Sequence, residues 1–168
     1  MDRRFGRERV GAAMTNEWEM LTVRNAPFDL LSRSASGISH HSVAKPREFT
    51  NTRNTPIEAL EREFPMRVLR YRLRRGSGGA GAAPGGEGIE RDLQVLADVT
   101  VSLITERRVS HPWGLAGGES GAVGENWLLP GGDESRAERL PDKCTIQLDA
   151  GDVLRMLTPG GGGWGVPA

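Results

Sequence analysis

Glycine constrains this chain more than any other residue type. Residues 76–88 read GSGGAGAAPGGEG and residues 158–165 read TPGGGGWG. Runs of this kind cannot propagate a helix, and each glycine loses more backbone entropy on ordering than any other residue. A chain that keeps four consecutive glycines, Gly160 to Gly163, before a large aromatic has two options. The backbone approaches something too closely for a side chain, or the segment is a flexible tail. With 23 glycines and 10 prolines against 5% aromatics, the fold must be rich in turns and loops.

The segments between the glycine runs carry period-two patterning. Leu69, Tyr71 and Leu73 alternate with Arg70, Arg72 and Arg74, which predicts a half-buried strand with arginines outward. Arg91 to Leu96, Val99 to Thr105, Cys144 to Leu148 and Val153 to Leu157 read as further strands. The first of these pairs with the arginine strand, and the last two form a hairpin about Asp149-Ala150-Gly151-Asp152. The only helix signal follows Thr55, where Pro56 at the first helical position and Glu58 complete a capping box. That helix ends by Glu63, because Pro65 cannot continue it. His111 to Asp133 holds too much glycine and proline for regular structure. The fold class is therefore mainly β with one short helix, a single β-sandwich or barrel-like module with glycine-rich loops. Residues 1–48 stand apart as a loosely ordered segment with a serine-rich run, and residues 49–168 form the module.

Composition excludes several function classes. The 22 basic and 22 acidic residues cancel, which leaves no electrostatic case for nucleic acid. No stretch approaches the ~20 apolar residues of a membrane helix. The single cysteine, Cys144, forms no intramolecular disulfide and suits a reducing cytoplasm; its alternation with Ile146 and Leu148 predicts a buried, inert thiol. Chemistry-bearing motifs are sparse. The glycine run at 76–88 lacks the Gly-Lys-Ser/Thr ending of a phosphate loop and joins two strands, so it reads as a turn requiring positive φ. His111 has no second ligand at metal spacing, and the adjacent His40 and His41 point apart without a partnering carboxylate. Arg107 and Arg108 offer guanidinium groups to a carboxylate or end a solvated strand. Asn51, Arg53 and Asn54 beside the helix start offer donors to an anion or amide, and Gly160, Gly161, Gly162 and Gly163 offer backbone for close contact. These seven are the candidate contact residues; no catalytic and no metal-ligating residue is predicted.

Taken in order, TNTRNTPIEALE (Thr50 to Glu61), the glycine run 77–88, Pro112 to Gly118, Asn126-Trp127-Leu128, Gly151-Asp152-Val153 and Thr158 to Gly165 resemble the C-terminal portion of a known family. That family is hydantoinase B / 5-oxoprolinase, which includes N-methylhydantoinase B and the acetone carboxylase alpha subunit. The resemblance implies descent from ATP-dependent enzymes that open cyclic amides such as hydantoin or 5-oxoproline, or carboxylate acetone. It implies an A-type subunit that handles ATP and a B-type part that holds a divalent metal through residues of its N-terminal half. Those residues have no counterpart here, so the chain reads as a C-terminal fragment of a B-type subunit, inactive alone and binding no cofactor itself. Its implied partners are an A-type subunit and the missing N-terminal half. A small binding or subunit-interaction module that reuses the scaffold is the alternative.

Overall fold

The computed structural model describes the backbone of two N-terminal strands, β1 (Glu17–Asn25) and β2 (Phe28–Ser36), and residues 56–167. The one α-helix among the described residues, α1 (Ile57–Glu63), ends as Pro65 requires, with Phe64 already extended. Pro56 is its N-cap rather than its first helical residue: ψ is 138°, and the Pro56 carbonyl accepts the Leu60 N–H at 3.0 Å. Thr55, the predicted cap, lies outside the described residues. Buried Leu60 anchors the helix to the core, while the Glu61 carboxylate accepts the Val68 N–H at 2.9 Å and ties the helix to the next strand.

The strands that follow are β3 (Met66–Arg74), β4 (Gly88–Val95), β5 (Val99–Ile104), β6 (Glu125–Leu129), β7 (Glu138–Leu140), β8 (Lys143–Leu148) and β9 (Val153–Leu157). They form two open antiparallel sheets, ordered β2-β1-β5-β8 and β3-β4-β9-β6-β7. One core lies between them. Val99, Val101, Leu103 and Leu148 from the first sheet pack with Met66, Leu93, Val95, Leu154 and Met156 from the second. The expected mainly-β, sandwich-like architecture with one helix holds, without barrel closure.

Three local expectations are corrected. The last two strands are not a hairpin: β8 pairs with β5, and β9 pairs with β4 and β6. The Asp149–Asp152 turn is instead a corner that carries the chain from one sheet to the other. Gly151 takes φ 102°, and the Asp152 carboxylate accepts the Asp149 and Gly131 N–H groups at 3.0 and 2.7 Å. Within His111 to Asp133, predicted irregular, β6 forms in the second sheet. Its inward Asn126 breaks the apolar alternation that would have marked it. In β3 a bulge between Val68 and Arg70 resets the alternation, leaving Leu69 52% exposed at the kink. The two N-terminal strands fall within residues 1–48, and β1 joins the first sheet through β5.

Candidate functional site

The glycine runs converge. Residues 77–88, 112–124 and 159–165 lie side by side and exchange backbone hydrogen bonds with almost no side chains between them. The Gly79 N–H donates to the Gly161 carbonyl at 2.8 Å, and the Gly161 N–H to the Gly86 carbonyl at 2.7 Å. The Gly163 N–H donates to Glu119 at 2.8 Å, the Gly160 N–H to Ala122 at 3.1 Å, and Ala83 and Trp164 bond reciprocally at 2.9 and 2.8 Å. Gly160 to Gly163 are all buried and none has positive φ. A methyl group added at Gly160 would collide with the Ser77 carbonyl, at Gly162 with that of Trp113, and at Gly163 with that of Ala80. Within residues 76–88 only Gly76 takes positive φ, so space rather than turn geometry explains Gly78, Gly79, Gly81, Gly85 and Gly88. The ordered tail is a backbone wedge, not a free end.

Polar side chains fasten this stack to the sheets. The Arg74 guanidinium donates to the Val123 and Thr158 carbonyls at 2.6 and 3.2 Å and meets Glu125 at 2.6 Å. The Ser77 hydroxyl donates to the Arg74 carbonyl at 2.6 Å and accepts the Gly88 N–H at 2.7 Å. Deeper, Asn126 is wholly buried. Its Oδ1 accepts from Arg108 Nε and Nη2 at 3.2 and 3.0 Å, while its Nδ2 donates to Thr105 Oγ1 at 2.9 Å. Arg108 is thus a buried strut rather than a solvated strand end, and Gly124 leaves the space that its guanidinium fills. Arg107 stacks over exposed Trp113 at 4.6 Å, and His111 Nδ1 lies 2.9 Å from the Gly121 carbonyl.

The outer face of the second sheet carries a charge ladder. Glu90 takes Arg70 and Arg72 at 2.6 Å each, and buried Asp92 takes Arg155 at 2.9 and 3.0 Å. Glu134 takes Arg155 at 2.6 Å. Burial pushes the Glu90 carboxyl upward, but its bonds to Arg72 and Arg70 outweigh that and hold it below the usual range. On the opposite face Arg91 is half-buried; that burial lowers its affinity for its proton, and Tyr71, whose ring lies 5.8 Å away, opposes the effect. Cys144 is half-buried rather than buried as expected, and desolvation, followed by the charge of Asp142, pushes its thiol up.

Of the predicted contact residues, Asn51, Arg53 and Asn54, like His40 and His41, lie outside the described residues. The structure brings Gly160 to Gly163 together, inside the stack. Among the described residues no three His, Cys, Asp or Glu side chains converge. No helix among them is long and apolar enough to cross a membrane. Sequence reasoning singled out Arg108 without its true acceptor, the Asn126 amide, and missed the buried role of Asn126. A polar residue within an apolar strand, as in Asn126-Trp127-Leu128-Leu129, was the available signal for that role.

A family model described as Hydantoinase B/oxoprolinase matches residues 33–167. The chain is 43% identical to 5-oxoprolinase 1 of Arabidopsis thaliana over 69% of its own length and 9% of that protein. It is 34% identical to the B-type subunit of a putative D-/L-hydantoinase of Pseudomonas sp., over 71% of its length and 20% of that protein. The chain therefore spans a fifth or less of the curated relatives it matches. Among solved structures, the ATP-dependent caprolactamase from Pseudomonas jessenii superposes with TM-score 0.67 at 19% identity, over 90% of this chain and 29% of that one. Nucleotide-free acetone carboxylase superposes with TM-score 0.62 at 19% identity, over 90% of this chain and 26% of that one. With the family model covering most of its length, the chain belongs to the hydantoinase B/oxoprolinase family.

Proposed function

We propose that this chain is the C-terminal module of a cytoplasmic hydantoinase B-type subunit, from enzymes that hydrolyse cyclic amides such as hydantoin or 5-oxoproline with ATP. Its task is to complete the scaffold of that subunit and to contact the remaining B-type part or an A-type subunit. The observation that carries this reading is the glycine stack. Its amides and carbonyls bond to one another across three segments, so the most distinctive sequence of the chain is committed to internal architecture. Among the described residues no group of three or more His, Cys, Asp or Glu side chains converges, and on this reading ATP and the divalent metal belong to the complete enzyme. A free-standing binding module that presents Gly160 to Gly163 is less well supported, because those residues are buried.

The test is direct. The purified chain, given ATP, Mg²⁺ and either hydantoin or 5-oxoproline, releases no ADP and opens no ring above the protein-free background. Turnover by the chain alone, abolished by heat denaturation, refutes the reading.

A further inference from the structure

Three strands with described side chains lie at sheet edges: β3 and β7 in the second sheet and β8 in the first. An edge strand presents unpaired backbone groups that recruit another strand unless something blunts it. β3 is blunted by a bulge between Val68 and Arg70 and by Arg67, Arg70, Arg72 and Arg74 along its length. β7 has only three residues, Glu138 and Arg139 among them, and Pro141 follows it. β8 carries none of these devices. Its six residues pair with β5 in unbroken register, hold no proline and include one charge, Lys143, at the start.

The parity of β8 determines what its open edge offers. The Thr105 N–H donates to the Asp142 carbonyl at 2.9 Å, which continues the β5–β8 ladder by one pair. Alternation then turns the backbone groups of Cys144, Ile146 and Leu148 towards β5 and those of Lys143, Thr145 and Gln147 outward. Lys143, Thr145 and Gln147 are exposed, and Cys144 and Ile146 are only half-buried against the core. The strand is also self-complementary. A second β8 laid antiparallel about Ile146 sets Thr145 opposite Gln147, Cys144 opposite Leu148 and Ile146 opposite itself. Apolar then meets apolar on the inner face, whereas a one-residue slip would set apolar against polar throughout. In that register Thr145 and Gln147 exchange N–H···O bonds across the edge, and Lys143 faces Asp149 of the second copy twice by symmetry. Lys143 already meets Glu106 at 3.1 Å in a pair more than half exposed on either side, and its ammonium keeps donors for a second carboxylate. The Asp149 N–H is taken by the Asp152 carboxylate, so exposed Asp149 contributes its side chain alone.

We propose that β8 is a homodimerisation edge, through which two copies of this chain join their first sheets about a two-fold axis at Ile146. The assignment goes beyond the function proposed above and does not rest on it.

Sedimentation equilibrium of the full chain over a concentration series tests it. Wild type distributes between monomer and dimer, with no larger species. Thr145→Pro removes an N–H that faces the open edge, keeps the far-ultraviolet circular dichroism of wild type and weakens dimerisation about tenfold or more. Lys143→Glu and Asp149→Lys each set like charges opposite one another twice and weaken it about tenfold, while the double variant returns to within about threefold of wild type. That rescue is specific to a strand that meets its own copy. A wild type monomeric at every concentration, a dimer indifferent to Thr145→Pro, or reversal without rescue overturns the proposal. Should Thr145→Pro fail to fold, the charge-reversal cycle decides alone. The second probe is the Pseudomonas sp. B-type polypeptide lacking the segment that this chain matches. Its capture of a monomeric wild type, lost with Thr145→Pro, assigns the edge to a strand of that polypeptide and overturns self-pairing.

Discussion

Replacing Gly160 with alanine tests the glycine stack most sharply, because two effects of known sign oppose each other there. Gly160 does not have positive φ, so alanine is conformationally allowed, and stiffening the unfolded chain should stabilise by about 0.4–1 kcal/mol. Against this, the new Cβ falls within bonding range of the Ser77 carbonyl and within 2.8 Å of the Gly78 nitrogen. Those are backbone atoms and cannot rotate away. The Ser77 carbonyl also accepts the Ala122 N–H at 2.8 Å, and Gly160 itself donates to Ala122 at 3.1 Å. Retreat of either segment therefore strains one or both bonds, at about 0.5–1.5 kcal/mol each. Overpacking adds about 1–3 kcal/mol. The net is a loss of about 0.5–5.5 kcal/mol, centred near 3, which for a chain of this size lowers the melting temperature by roughly 1–22 °C. Gly131 is the control: it has φ 60° with nothing within 4 Å of an added Cβ, so Gly131→Ala costs only about 1–2 kcal/mol of left-handed strain. Thermal unfolding followed by circular dichroism decides the matter. A Gly160→Ala variant that melts at or above wild type refutes the claim that these segments touch through bare backbone.

The remaining predictions address the polar struts. Asn126→Leu takes from buried Arg108 the amide oxygen that accepts its Nε and Nη2, leaving Nη1 on the Glu106 carbonyl, and costs about 2–4 kcal/mol in chemical denaturation. The double variant with Arg108→Met recovers part of that loss; strictly additive effects would refute the coupling. Glu90 is held below the ordinary glutamate range when folded, so its stabilisation is complete above that range and is lost as pH falls through its native value. The melting-temperature advantage of wild type over Glu90→Gln should accordingly shrink between about pH 5 and pH 3, and an advantage that grows on acidification contradicts the assigned pairing. Native Cys144, its thiol pushed up by burial, should react with a thiol reagent at about pH 8 at least tenfold more slowly than in the unfolded chain. Equal rates would show that it is not shielded.

The elements that the sequence made legible are those whose burial follows a simple period. β3, β4, β5, β8 and β9 all alternate or run apolar, and the α1 stop is written in Pro65. What could not be read was determined by contacts between distant segments. β6 buries Asn126 where the pattern requires an apolar residue, and that burial is tolerable only because Arg108, Thr105 and the Pro141 carbonyl complete its hydrogen bonds. The sheet change at Asp149–Asp152 is invisible locally, since a tight turn serves a hairpin and a corner equally well. The partner of each strand, not the turn itself, decides which is built.

The glycine runs show the same limit from the other side. Composition admitted a flexible tail or a close approach for Gly160 to Gly163, and nothing within residues 158–165 could choose between them. The choice lies in residues 77–88 and 112–124: Gly85, Gly118 and Gly121 face the tail, and Gly79 faces the backbone of Glu119 and Ser120, across distances no side chain fits. Three separate segments must lack side chains in register for any one of them to order. That joint requirement explains why a small module tolerates so much glycine entropy. It also explains why these glycines read as a binding loop when taken singly: bare backbone that receives a ligand and bare backbone that receives another chain segment look alike in sequence. Here the ligand of the glycine loop is the rest of the same chain.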